Sequence, residues 1–195
     1  KIFDKTILQN VSDEIGNLDN VVKDMNSAIA ASDEGKQREY VTFETQLELI
    51  KKVLENQIAD SKVAITFDFK EAEGLFTVKS YLYSIMYNLL SNAIKYRLPE
   101  TPLTIHFQTG IKRDILYLSV KDNGMGIDLD KFGEKIFGLY SRFHGSKIEG
   151  KGIGLHLVKV QAESLGGSVE IESKVNQGSK FIVRLPINPK ENEID

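Results

Sequence analysis

The chain has no cysteine among its 195 residues, which excludes disulfides and thiolate metal sites and fits a reducing compartment. Positive charge is not in excess either: 25 lysines and arginines stand against 28 acidic residues, for a net charge of -3. No basic stripe stands out to neutralise phosphates, so nucleic acid is not an expected partner. No apolar run approaches the roughly 20 residues of a membrane span, and no signal peptide, internal repeat or low-complexity segment is visible. The expectation is a soluble piece without direct membrane contact. It begins at Lys1 rather than at methionine, which suggests an excised fragment. What remains is ordinary globular composition, 41% hydrophobic and 27% charged, with length for one well-buried domain plus an appendage.

Periodicity places the elements. Val11, Ile15, Leu18, Val22, Met25 and Ile29 alternate steps of four and three, the heptad seam that keeps a narrow apolar stripe on a partner helix. A single amphipathic surface helix is the plainer alternative. Gly16 costs this helix about 1 kcal/mol relative to alanine, so packing must offset it. Ser32 to Gly35 ends it as a linker. Helical spacing of Phe43, Leu47, Ile50, Leu54 and Ile58 predicts one helix from Thr42 to Asp60. Alternation at Val63, Ile65, Phe67 and Phe69 predicts a half-buried strand, with a short strand at Leu75 to Val78. A long central helix is expected over Ser80 to Arg97, with Leu82, Ile85, Met86, Leu89, Leu90 and Ala93 buried and Pro99 as its stop. Strands follow at Leu103 to Thr109 and Ile115 to Lys121 around a turn at Gly110 to Asp114. Asp122 to Gly154 is too long for an idle connector and reads as a mobile lid. A helix over Leu155 to Leu165 ends at Gly166-Gly167, and Ser168 to Glu172 and Lys180 to Leu185 form a hairpin. The tail after Pro186 is polar. The domain expectation is 1–35 for the helix and linker, 36–188 for the catalytic body and 189–195 for the tail.

Four motifs carry chemistry, in the order Asn88 to Tyr96, Asp122 to Asp128, Ile136 to Phe143 and Gly150 to Leu155. Asn88, Asn92, Lys95 and Tyr96 fall on one helical stripe beside the apolar face. The carboxamides suit a Mg²⁺ that already carries phosphate and water. Lys95 offers a compact charge to phosphate and Tyr96 a ring to a base. A solvated helix face is the competing reading of the stripe. Asp122 can accept the amino protons of adenine, and Gly124 and Gly126 let backbone approach a flat ring; an Asp-Asn-Gly turn is the competing reading. Gly150, Gly152 and Gly154 precede a helix whose first N–H groups can receive phosphate oxygens. Between them, Phe137, Tyr140, Arg142 and Phe143 either pin a loop as a small apolar cluster or, for Arg142, reach a γ-phosphate. Together the four converge on an ATP site.

The set resembles the catalytic and ATP-binding domain of bacterial sensor histidine kinases, within the wider ATPase superfamily of gyrase, Hsp90 and MutL. There the motifs are called the N, G1, F and G2 boxes, and all four occur here in order. The likeness covers roughly Val41 to Leu185. Gly178-Ser179-Lys180-Phe181 resembles the final glycine motif, with Ser179 where threonine is usual. The resemblance implies an α+β fold, a two-layer sandwich of helices on a mixed sheet. It also implies a nucleotide site of Asn88, Asn92, Lys95, Tyr96, Asp122, Gly124, Gly126, Ile127, Phe137, Tyr140, Arg142, Gly150, Lys151, Gly152, Ile153, Gly154, Leu155 and Ser179. Asn92 is the implied Mg²⁺ ligand, Asn88 a second ligand or phosphate contact, Lys95 the phosphate-contacting lysine, Tyr96 the neighbour of adenine and Asp122 its reader. Phe137 and Tyr140 match the F-box aromatic pair, and Arg142 the basic residue after it. By chemistry, Asn92, Lys95 and Arg142 are the catalytic candidates.

By the same resemblance, Lys1 to Ala31 looks like the second helix of the dimerisation and phosphoacceptor hairpin. The family's acceptor histidine lies on the first helix, expected a few tens of residues upstream of Lys1. His106, His144 and His156 lack its context. The implied activity is transfer of the γ-phosphoryl of ATP to a histidine supplied from elsewhere, with positioning and charge neutralisation as this chain's share. Alone, the fragment is expected not to phosphorylate itself. Implied partners are the acceptor hairpin, a response-regulator receiver domain and a second copy in the full-length protein; the implied location is cytoplasmic. One rival is an ATPase switch of the gyrase, Hsp90 or MutL kind, whose water-activating glutamate has its place taken here by Asn88. The other is a degenerate nucleotide-binding docking module.

Overall fold

A computed structural model of the protein describes residues 37–139 and 152–187. The heptad helix, the linker, the stretch from Tyr140 to Lys151 and the polar tail lie outside the described residues. In chain order the elements are β1 (Glu39–Thr42), α1 (Phe43–Val53), α2 (Glu55–Ser61), β2 (Ala64–Asp68), β3 (Gly74–Thr77) and α3 (Lys79–Lys95). They continue with β4 (Thr104–Lys112), β5 (Ile115–Asp122), α4 (Leu129–Phe132), a 3₁₀ turn (Gly133–Lys135), α5 (Gly154–Ser164), β6 (Ser168–Lys174) and β7 (Gly178–Pro186). The fold is α+β.

Five strands form one mixed sheet in the order β2-β4-β5-β7-β6, and β1 pairs with β3 in a separate ribbon. β2 runs parallel to β4, and the other pairs in the large sheet are antiparallel. A strand turns alternate side chains to opposite faces, so Leu116, Leu118 and Val120 of β5 lie on one face, with Ile105 and Phe107 of β4 and Phe181, Val183 and Leu185 of β7. All eight are buried. The helix α3 covers this face through Leu82, Ile85, Met86, Leu89, Leu90 and Ala93, the residues its periodicity marked, together with Tyr81 and Ile94. α5 packs beside it with Leu157, Val158 and Ala162 buried.

Several local expectations are adjusted. The single helix expected over 42–60 is two, because the chain breaks at Leu54, whose N–H still bonds to the Ile50 carbonyl. Leu54 is itself buried, so apolar spacing continues through a point where the helix does not. The β4–β5 turn is shorter than expected: Gly110 lies within the ladder opposite Tyr117, and Arg113 and Asp114 make a two-residue loop, both at positive φ, the backbone such hairpins require. β2 is an edge strand, and Phe67 on it remains 40% exposed rather than half-buried. The end of α5 is as expected: Gly167 N–H bonds to the Ala162 carbonyl and Gly166 N–H to that of Glu163, with Gly166 at positive φ, a Schellman closure that satisfies terminal carbonyls.

Candidate functional site

Two polar clusters sit along the C-terminal half of α3, one at its end near Tyr96 and one a turn or two earlier at Asn92 and Asn88. The first is built by strand alternation. Asp122 continues the inward row Leu116, Leu118, Val120, and Ser179 continues the row Leu185, Val183, Phe181, so both arrive on the helix-covered face where the apolar pattern stops. Asp122 is 9% exposed and Ser179 is buried. Gly124 N–H and Ser179 N–H both donate to Asp122 Oδ1, at 2.8 and 3.3 Å. Asp122 Oδ2 takes no hydrogen bond from the described residues. Burial pushes this carboxyl above the ordinary aspartate range, and the two backbone donors pull it part of the way back. A carboxylate with one oxygen tied and the other unclaimed is an acceptor for a ligand donor.

The glycines of this cluster are required by contact. A Cβ on Gly124 would sit 2.6 Å from the Tyr96 carbonyl oxygen and 3.0 Å from Asp122 Oδ1. Gly126 has φ +63° and lies against the Lys174 carbonyl. Met125 N–H donates to the Tyr96 carbonyl at 2.8 Å, which ties this loop to the C-terminus of α3. Ile127 is buried, and its N–H donates to Ser173 Oγ at 2.8 Å. Tyr96 caps α3 beside Lys95, whose Nζ lies 4.8 Å from the Tyr96 ring centroid, a cation–π contact.

The second cluster joins α3 to the start of α5. Asn88 Nδ2 donates to the Ser84 carbonyl at 2.8 Å and reaches Ser84 Oγ at 3.3 Å, which orients its amide. Asn88 Oδ1 then faces Gly154: a Cβ there would lie 2.7 Å from that oxygen and 3.7 Å from Asn92 Nδ2. Both carboxamides thus converge on the first residue of α5. Gly152 has φ +71°, and among the described residues no side chain caps the helix start, so N–H groups of its first turn are left for another acceptor. Asn88, Asn92, Ile153, Gly154 and Leu155 are all half-buried. The donor set fits a Mg²⁺ held mainly through phosphates: carboxamide oxygens are hard and neutral, and two supply only part of an octahedral shell.

Phe137 is half-buried, next to the buried Ile136. Its carbonyl lies 3.0 Å from His156 Nδ1; since a carbonyl only accepts, Nδ1 carries the proton and donates. His156 is therefore a tie between the segment before residue 140 and α5. Tyr140, Arg142, Gly150 and Lys151 lie outside the described residues.

Two residues that sequence reasoning missed complete the first cluster. Asn123 Oδ1 accepts Thr104 N–H at 2.8 Å, and its Nδ2 donates to the Pro102 carbonyl at 2.9 Å, bracing the loop before β4. Ser173 bonds Ile127, Gly178 and Ser179 at once. The alternation Val169, Ile171 carried forward one step pointed to Ser173.

Residues 77–189 match the sequence model of the family described as histidine kinase-, DNA gyrase B-, and HSP90-like ATPase. The sensor protein RprX of Bacteroides fragilis is 33% identical over 116 residues, 58% of this chain and 22% of RprX. The chain thus spans less than a quarter of that relative's length. Among solved structures, the Acinetobacter baumannii histidine kinase AdeS superposes with a TM-score of 0.72 at 16% identity, over 93% of this chain and 84% of that one. Full-length ShkA in complex with AMPPNP gives a TM-score of 0.71 at 19% identity, over 87% of this chain and 36% of that one.

Proposed function

Because the chain belongs to the histidine kinase-, DNA gyrase B- and HSP90-like ATPase family, we propose that it binds MgATP along α3 and passes the γ-phosphoryl to a histidine on a separate dimerisation hairpin. The observation that carries this reading is the pairing of the two clusters across one helix. Asn88 and Tyr96 are eight residues apart, about 12 Å along a helix axis, with a carboxylate acceptor at one end and converging carboxamides beside bare helix-start amides at the other. The extended shape of a nucleoside triphosphate matches that layout.

In this reading Asp122 Oδ2 accepts from the exocyclic amine of adenine, with Gly124, Gly126 and Ile127 under the ring and Tyr96 beside it. The first-turn N–H groups of α5, with Gly152 and Ile153 ahead of them, receive phosphate oxygens. Lys95 neutralises phosphate charge. Asn92, with Asn88, would hold Mg²⁺, which neutralises the phosphates when bound. Phe137 borders the site, and Tyr140, Arg142, Gly150, Lys151 and Leu155 are assigned to the nucleotide as well. None of the chain's histidines is assigned as the acceptor: His106 bonds Thr66 Oγ1 at 2.9 Å, His156 is held by Phe137, and His144, outside the described residues, lacks the acceptor's sequence context. The chain alone therefore does not phosphorylate itself.

The relatives support a sensor kinase: RprX is a sensor protein, and AdeS, alike in fold, is a histidine kinase. The proposed setting is a cytoplasmic kinase that dimerises through the N-terminal helix and passes phosphate to a receiver domain. Among the described residues, no helix is long and apolar enough to cross a membrane. Calorimetric titration of ATP with Mg²⁺ tests the site: the chain binds, and Asp122→Ala weakens binding about tenfold or more. Equal binding by that variant contradicts the assignment of Asp122.

A further inference from the structure

Ser173, on β6, lies outside the residues so far given a role toward nucleotide, yet it is the most heavily bonded hydroxyl near Asp122. The register puts Ser173 directly opposite Ser179. Ser173, Ser179 and Asp122 thus form a row across β6, β7 and β5 on the covered face. Ser173 Oγ receives the Ile127 N–H at 2.8 Å, reaches the Gly178 carbonyl at 3.0 Å and lies 2.9 Å from Ser179 Oγ.

A hydroxyl has one proton and two lone pairs. The Gly178 carbonyl can only accept, so it takes the Ser173 proton. Ile127 N–H occupies one lone pair, and the other is left for Ser179, whose hydroxyl must then be the donor. The Ser179 proton is thereby turned toward Ser173, and Ser179 Oγ has only lone pairs to present elsewhere. Ser179 N–H is already bonded to Asp122 Oδ1. The polar row beside the base contact therefore offers acceptors alone: Oδ2 of ionised Asp122 and Oγ of Ser179.

We propose that Ser173 is a positioning residue for base selection: by fixing the Ser179 proton and the Ile127 backbone, it matches the site to a 6-amino purine and against a 6-oxo purine. This rests on the reading of Asp122 as the base contact. A 6-amino group brings donors to the acceptor row, directly or through water. A 6-oxo group sets an acceptor against acceptors, which leaves polar groups unpaired. With Ser173 as alanine, the Ser179 proton is released to rotate and Ile127 N–H loses its partner, so discrimination falls.

The test measures ATP and GTP affinities, each with Mg²⁺, for the whole chain and for Ser173→Ala, Ser173→Thr, Ser179→Ala and the Ser173→Ala/Ser179→Ala pair, with folding checked by thermal melting. The expected result is a preference for ATP in the unaltered chain that drops about tenfold in Ser173→Ala and is kept in Ser173→Thr. In the Ser179→Ala background, Ser173→Ala costs less preference than it does alone, because the Ser179 route is already gone and only the Ile127 route is left to lose. An unchanged ATP-to-GTP ratio in Ser173→Ala, or equal additive losses in the double variant, overturns the inference while ATP binding stands. An unaltered chain that binds neither nucleotide overturns the ATP reading and this inference with it. Should Ser173→Ala fail to fold, the ratio in Ser179→Ala decides: a preference identical to that of the unaltered chain overturns the proposal.

Discussion

Asn88 Oδ1 lies 2.7 Å from the point where a Cβ on Gly154 would stand, so the central helix and the start of α5 meet through an atom that only glycine leaves room for. Asn88 retreats only by turning its amide away from Ser84 on the preceding turn, to which its Nδ2 is bonded.

Gly154→Ala therefore separates stability from binding. Alanine favours a helix over glycine by up to about 1 kcal/mol, which offsets the local crowding, so the melting temperature changes little. The displaced carboxamide weakens MgATP binding on the order of tenfold. Calorimetry and thermal melting on one preparation check both halves.

The expected pH dependence follows from Asp122. Its folded-state pKa is raised, mainly by burial, so the folded apo chain holds this proton more tightly than the unfolded chain. Its contribution to apo stability is full below the ordinary aspartate pKa and is lost as pH rises through the raised value. Nucleotide binding runs the other way, because the base contact needs the ionised form: affinity falls as pH drops through the raised value. Asp122→Asn binds weakly and without this step, and subtracting its curve removes the titration of the phosphates.

Gly126→Ala should damage the fold itself. The residue is at φ +63° and abuts the Lys174 carbonyl, a backbone group that cannot move aside. A loss upward of about 3 kcal/mol is expected in denaturant unfolding. Gly133, with no atom of the described residues within 4 Å of where its Cβ would stand, is the control, and Gly133→Ala should change stability by no more than about 0.5 kcal/mol.

Asn92→Ala tests the cation assignment. Affinity for ATP with Mg²⁺ present should fall about tenfold, with little change when the cation is chelated. An equal loss under both conditions would make Asn92 a direct phosphate contact.

The buried face of α3 and the ends of α5 were legible because helical periodicity and the Gly166-Gly167 stop are local signals. The Leu54 break was not: burial kept Leu54 on the apolar stripe while the backbone turned. Gly110 misled for a related reason, since glycine within a ladder looks like a turn until the neighbouring Arg113 and Asp114 take positive φ. In the candidate site, the motifs pointed to Asn88, Asn92 and Asp122, because the chemistry proposed for them shows in the residue type. Ser173 and Asn123 escaped because their importance lies in which backbone groups they satisfy, and cross-strand register decides that.

Radiolabelled phosphoryl transfer tests the central claim most directly: the chain is incubated with γ-labelled ATP, Mg²⁺ and a separately supplied acceptor hairpin from a sensor kinase. The account predicts acid-labile label on the hairpin histidine, none on this chain, and no transfer by Asn92→Ala. An unlabelled hairpin despite measured ATP binding, with steady phosphate release in its absence, would contradict it.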